Sequence, residues 1–71
     1  MMKSGDLRRF SDSWPTLVAE HLRGRVFMVL EVSGTAGWEP TRVDILIDGR
    51  RQTDLGFHWV EQHSEALNAA G

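Results

Sequence analysis

The sequence predicts an all-β domain, a small and partly open barrel of four to five antiparallel strands. Apolar and polar residues alternate along several stretches of strand length, and turn-forming residues separate these stretches about every ten positions. An isolated pair of strands is only marginally stable in water, so the strands are expected to curl round one common core. A long first loop that holds a short helix, and a short C-terminal helical turn, complete the predicted fold.

The first half of the chain predicts one short strand, the long loop and then the clearest strand. Residues 7–10 alternate after a turn, and residues 11–24 form the loop, in which residues 16–22 have helical spacing. The strand at 25–33 has two faces: Val26, Met28, Leu30 and Val32 on one, and Phe27, Val29 and Glu31 on the other. The second face begins apolar and ends polar, so we expect half of this strand to be covered on both sides. Either the loop segment at 13–22 or another subunit covers Phe27 and Val29, and we expect the loop.

The second half predicts a hairpin followed by a return strand. Over residues 42–48, one face carries Val43, Ile45 and Ile47 and the other carries Asp44, Leu46 and Asp48. The pair Asp48-Gly49 predicts the hairpin turn, because glycine adopts a positive φ at low cost. Residues 51–60 are expected to return as a strand, with a kink at Gly56 and with Trp59 in the core. Residues 61–67 are expected to form the final helical turn.

The length and composition predict a single domain with a marginal core. A chain of 71 residues buries only about 60% of the surface that it exposes when unfolded. It has no cysteine, so neither disulfides nor thiolate metal sites can compensate for the small core. We therefore expect unusually good packing or assembly with another chain, a homo-oligomer included.

The charge balance favours a protein partner over nucleic acid, and the lengths of the apolar runs argue against a membrane span. The net charge is −2, whereas proteins that bind bare phosphate backbones are usually basic. No apolar run approaches the roughly 18 residues of a membrane span. The opening residues contain no hydrophobic signal region, which predicts an intracellular protein.

The order of these segments resembles the SH3-like barrels. Residues 5–10 (Gly-Asp-Leu-Arg-Arg-Phe) resemble their opening strand, and residues 11–24 stand in the place of their long first loop. Residues 26–32 are similar to the second strand, residues 43–49 to the third strand and its turn, and Trp59-Val60-Glu61 to the fourth strand. The resemblance implies one SH3-like barrel domain over residues 1–71, with a core at about 5–67.

Among these barrels, the chain resembles most the small stand-alone proteins of bacteriophage genomes. That resemblance implies a virion structural or accessory protein, a head-decoration, neck or tail component that docks on phage capsid, neck or tail proteins. It would then occur in the host cytoplasm and in the virion. Two alternatives are a nucleic-acid-binding regulator and a small inhibitor or accessory subunit of a host enzyme.

No constellation of residues predicts an enzyme, a cofactor or a metal site. Asp44, Asp48 and Asp54 flank the predicted hairpin, where a solvated strand face and a turn account for them without acid–base chemistry. His58 and His63 lie five positions apart, which is not a tight metal-binding pair. The chain also has no glycine-rich phosphate loop and no serine in a nucleophile elbow.

The candidate partner-binding residues are two tryptophans and a group of arginines. Trp14 and Trp38 lie in predicted loops, where exposed aromatic side chains often anchor an interface. Trp14 has an alternative role as a cap on one open end of the barrel. Arg8 and its neighbour Arg9 would form a basic edge if they converge with Arg50 and Arg51, and the alternative is charge that protects an edge strand.

Overall fold

Five antiparallel strands form one open sheet in the computed structural model, which describes residues 2–12, 20–35 and 37–67. The strands are β1 (Leu7–Phe10), β2 (Val26–Ser33), β3 (Arg42–Ile47), β4 (Arg50–Gly56) and β5 (Ser64–Ala66), and one short helix, α1 (Phe57–Gln62), joins β4 to β5. Their order across the sheet is β4-β3-β2-β1-β5, so β4 and β5 are the two edges. The prediction of a mainly β domain with a short helical segment near its C-terminal end is confirmed.

The long first loop is described only in part. Trp14 lies outside the described residues, and so do residues 16–19 of the predicted helical segment at 16–22. The part that is described, Glu20–Leu22, forms a single 3-10 turn. Leu22 packs against the core, in agreement with the expectation that this loop covers apolar residues of the sheet. At the end of the loop, Gly24 donates its N–H to the carbonyl of Phe10 at 3.0 Å.

The hairpin between β3 and β4 has the predicted turn. Asp48 and Gly49 have φ angles of 52° and 74°, and the flanking residues Ile47 and Arg50 are paired. Two consecutive positive φ angles are the signature of a type I′ turn, whose twist matches that of the strands it joins. The alternation along β3 is also confirmed, because Val43, Ile45 and Ile47 are all buried.

The two faces of β2 are the reverse of what an uninterrupted alternation suggested. Phe27 and Val29 are buried in the main core, whereas Val26 and Met28 are 46% and 39% exposed. The register with β3 shifts between Val29 and Glu31, so Leu30 forms a bulge. Beyond this bulge Val32 lies opposite the buried Val43 and packs against the core.

One apolar core fills the inner face of the sheet. Phe10 and Phe27 stack at its centre with ring centroids 4.4 Å apart. Among the described residues, the buried apolar ones are Met2, Phe10, Phe27, Val29, Val43, Ile45, Ile47, Phe57 and Val60. The core is therefore built by strands β1, β2 and β3 together with α1 and the N-terminal Met2.

The chain after Gly56 differs from the prediction. Residues 57–60 belong to α1 instead of continuing the return strand, and residues 64–66 form β5 instead of a helical turn. Phe57 and Val60 are buried on one side of α1, a spacing of three that suits a helix. Trp59, predicted as a core residue on a strand, lies on α1 and packs partly buried against the core.

The burial of β3 leads to a matched pair of substitutions. Ile45→Ala removes a fully buried side chain and should destabilise the domain by about 2–5 kcal/mol through lost burial and a cavity. Leu46→Ala removes equally many carbons from the next residue, which is 39% exposed on the other face, and should cost much less. Urea unfolding followed by circular dichroism measures both, and equal losses would contradict the assignment of the faces.

Candidate functional site

Arg8 lies inside the domain and not on its surface. Its side chain is buried on the inner face of β1. The guanidinium donates through Nε to Ser64 Oγ at 2.7 Å and through Nη2 to the carbonyls of Ser64 at 2.9 Å and Glu61 at 3.3 Å. Ser64 in turn donates its hydroxyl to the carbonyl of Val60. Arg8 thus ties β1 to β5 and satisfies one carbonyl at the end of α1.

The structure does not bring the predicted arginines together. Arg8 and Arg9 are on β1, whereas Arg50 and Arg51 are on β4, and two strands separate β1 from β4. Neighbouring strands are about 4.8 Å apart, so the two pairs of arginines lie roughly 14 Å apart across the sheet. The basic edge that depended on the convergence of these arginines therefore does not form, and Arg8 has a structural role.

Arg51 belongs to a network of ion pairs on the outer face. Its Nη2 is 2.8 Å from Asp44 Oδ2 and 3.5 Å from Glu31 Oε2. The other oxygen of Asp44, Oδ1, accepts the backbone N–H of Asp54 at 2.9 Å. This N–H, followed by Arg51, lowers the pKa of Asp44 below its ordinary value of 3.8.

This network shapes the edge strand β4. Asp54 has a positive φ of 62°, and the pairing of β3 with β4 shifts register between Val43 and Ile45, so β4 is bulged beside Asp44. Asp54 also contacts Arg42 at 3.1 Å. The contacts of Asp44 and Asp54 therefore stabilise the bulged strand β4, which agrees with the prediction that these carboxylates belong to a solvated strand face.

The loop that carries Trp38 projects from one end of the sheet between β2 and β3. The side chain of Trp38 is 89% exposed. Both ends of its loop are held: Thr41 donates its N–H to the carbonyl of Ser33 at 3.2 Å, and its own carbonyl accepts the N–H of Phe57 at 3.0 Å. Gly34 has a φ of 71°, and a Cβ there would lie 2.2 Å from Thr41 Oγ1, so only glycine fits.

The contact between Glu39, the residue after Trp38, and His58 was not predicted from the sequence. Glu39 Oε2 lies 3.4 Å from Nε2 of His58, which stands at the start of α1. These residues are nineteen positions apart, so nothing in the local sequence indicates their contact. Trp38 and the pair Arg50-Arg51 lie at opposite ends of β3, so they do not form one surface.

A row of exposed apolar residues crosses the outer face of the sheet. We define this outer row as Leu67, Leu7, Met28 and Leu46, which are between 37% and 40% exposed. Leu7 is paired with Met28, and Met28 with Leu46, in the register of the strands. Leu67 donates its N–H to the carbonyl of Leu7 at 2.9 Å and so continues the row. The alternation along β3 correctly predicted that Leu46 lies on this face. The exposure of Met28 was not predicted, because the bulge at Leu30 reverses the two faces of β2.

Within residues 2–12, 20–35 and 37–67, no three histidine, cysteine, aspartate or glutamate side chains are grouped so that they could hold a metal ion. No helix of these residues has the length and apolar character needed to cross a membrane. A shallow polar cleft lies between β1 and β5, where Arg9, Asp12, His63 and Glu65 mix both signs of charge. Because cationic and anionic side chains alternate in it, this cleft does not indicate either an anionic or a cationic ligand.

No known protein family, curated protein or solved structure matches this chain.

The buried position of Arg8 leads to a comparison with its exposed neighbour. Arg8→Ala should destabilise the domain by about 2–3 kcal/mol, because carbonyls of α1 and β5 lose a charged donor. Arg9→Ala, one residue along on the outer face, should change stability by less than about 0.5 kcal/mol. Urea unfolding measures both variants. A loss for Arg9→Ala as large as that for Arg8→Ala would contradict the structural role.

The lowered pKa of Asp44 predicts a specific pH dependence. A carboxylate with a lower pKa in the folded state contributes stability above its unfolded pKa of 3.8, and the contribution is lost as the pH falls through the folded pKa. Asp44→Asn keeps an oxygen for the Asp54 N–H but cannot titrate. The urea midpoint of the wild type should therefore fall further between pH 6 and pH 2 than that of Asp44→Asn. A constant difference across this range would contradict the prediction.

Proposed function

We propose that this chain is a non-enzymatic assembly module that docks on a larger protein complex through its Trp38 loop. The observation that carries the proposal is the 89% exposure of the Trp38 side chain. Tryptophan is the residue most enriched among those that dominate binding energy at protein interfaces. An exposed indole offers a partner a large apolar surface together with an N–H donor.

The anchoring of the loop supports this role. A binding loop that is already ordered loses less conformational entropy when it docks, and so more of the contact energy appears as affinity. Hydrogen bonds from Thr41 and Phe57 and the contact between Glu39 and His58 restrain the loop that presents Trp38. A matching partner would offer an apolar pocket for the indole with polar groups round its rim.

The arrangement of charge favours a protein partner over nucleic acid. Arg25 lies 3.3 Å from Asp48, Arg42 lies 3.1 Å from Asp54, and Arg51 contacts Asp44 and Glu31. Phosphate groups would have to displace these carboxylates, and the chain as a whole carries a net charge of −2. A nucleic-acid-binding regulator is therefore the weaker proposal.

The more specific form of the proposal is that the complex is a bacteriophage particle. Its support is the resemblance of the strand segments to small SH3-like proteins of phage genomes. Mass spectrometry of purified particles tests this form, and absence of the chain from them would overturn it. An accessory subunit or inhibitor of a host enzyme would instead co-purify with that enzyme from a host lysate.

Trp38→Ala should weaken docking and leave folding intact. In the cells of origin, the tagged wild-type chain should elute in a high-mass complex on size-exclusion chromatography, and Trp38→Ala should bind that complex at least about 10-fold more weakly. Trp38→Phe should retain part of the affinity, and Thr35→Ala, on the same loop, should behave as the wild type. Unfolding of Trp38→Ala, or undiminished binding, would contradict the proposal.

A further inference from the structure

We propose that the outer row is the interface of a homodimer, in which the sheet packs face to face on the sheet of a second copy. This inference goes beyond docking through the Trp38 loop. It concerns a different surface, since the loop projects from one end of the sheet and the row crosses the middle of its outer face. A face-to-face pair of sheets is the usual way in which a sheet with an apolar outer face is covered.

The row is continuous and is placed by strand pairing. Adjacent strands are about 4.8 Å apart, so four strands carry the row over roughly 14 Å. Single exposed apolar residues are normal on a protein surface, whereas a contiguous apolar patch marks an interaction site. Val26, which is 46% exposed and lies on the same face of β2 as Met28, widens the patch.

Charges and bulges protect the two edges of the sheet, whereas the outer row itself carries no charged residue. β4 is exposed along most of its length, but it carries Arg50, Arg51 and Asp54 and is bulged beside Asp44. β5 has only three residues. Charges, bulges and short strands are the devices that prevent edge-to-edge pairing of sheets. Association through the outer face is therefore favoured over the addition of a strand at either edge.

The outer row can lie on the outer row of a second copy, with Arg51 opposite Leu67 of the second copy at each end. Because β2 is the middle strand, a two-fold axis along it places Met28 opposite Met28 of the second copy and Leu7 opposite Leu46 of the second copy. The same rotation brings Arg9 towards Asp48 of the second copy. Glu31 approaches its own counterpart near the axis, where Arg51 of the same copy, 3.5 Å away, reduces the repulsion.

The available area suits a weak, reversible dimer. The five strands hold 28 residues, and at about 3.3 Å by about 4.8 Å for each residue they give a face of roughly 440 Å² per copy. Covering both faces removes roughly 900 Å², which is the size of weak and transient interfaces. We therefore infer a reversible dimer whose population rises with concentration.

Sedimentation equilibrium over a wide range of concentrations tests the dimer. The wild-type mass should rise from the 8.0 kDa of the chain towards twice that value. Met28→Glu should stay at the mass of the monomer, because it places two like charges at the two-fold axis. Thr53→Glu, which adds the same charge at an exposed position of β4, should associate as the wild type does. Circular dichroism checks that both variants are folded.

Cross-linking gives a second measurement that does not depend on a charge in the row. The chain has no cysteine, so Met28→Cys introduces a single thiol. A bis-maleimide that spans about 10 Å, the usual separation of packed sheets, should link two copies of Met28→Cys in high yield and two copies of Thr53→Cys in low yield. Equal yields would overturn the proposed face.

The outcomes separate this inference from the proposed docking function. A wild type that is monomeric at every concentration, or a dimer that survives Met28→Glu, overturns the homodimer. Trp38→Ala should dimerise as the wild type does, because Trp38 lies outside the row. A dimer that forms normally in a chain that joins no high-mass complex would support the homodimer and overturn the docking function.

Discussion

The buried guanidinium of Arg8 connects the two ends of this small domain. Through it, β1 is joined to α1 and β5, which lie more than fifty residues later in the chain. The backbone N–H of Met2, which donates to Glu61 Oε2 at 2.8 Å, adds a second link to the same helix. Because α1 covers part of the core, these polar contacts help to hold the cover over the inner face of the sheet. A charged group inside a domain of this size is stable only because its donors meet acceptors.

Local patterns predicted the centre of the sheet well. Alternation along β3 and the Asp48-Gly49 turn depend only on neighbouring residues, and the structure has both. The reversal of β2 could not be predicted, because a bulge at Leu30 changes the phase of the strand without changing its composition. Residues 57–60 were ambiguous, since Phe57 and Trp59 fit a strand while Phe57 and Val60 fit a helix.

The candidate binding surfaces also differ in how far the sequence predicted them. A loop tryptophan is visible in the sequence, and Trp38 is indeed exposed, although its part in binding stays a prediction. Arg8 looked like a surface charge because its acceptors, in the last turn of α1 and in β5, are remote in sequence. The outer row depends on the registers of several strand pairs at once. The features that were missed, the burial of Arg8 and the outer row, thus both depend on contacts between distant segments of the chain.

The bulge at Leu30 has a consequence for how β2 tolerates changes in length. On one side of the bulge the inward side chains occupy odd positions, Phe27 and Val29, and on the other side the inward Val32 is even. The parity of the residue count between Val29 and Val32 therefore determines which side chains meet water. Loss or gain of one residue at this point would exchange the hydrated and the dry faces of half the strand, even if every remaining residue were kept.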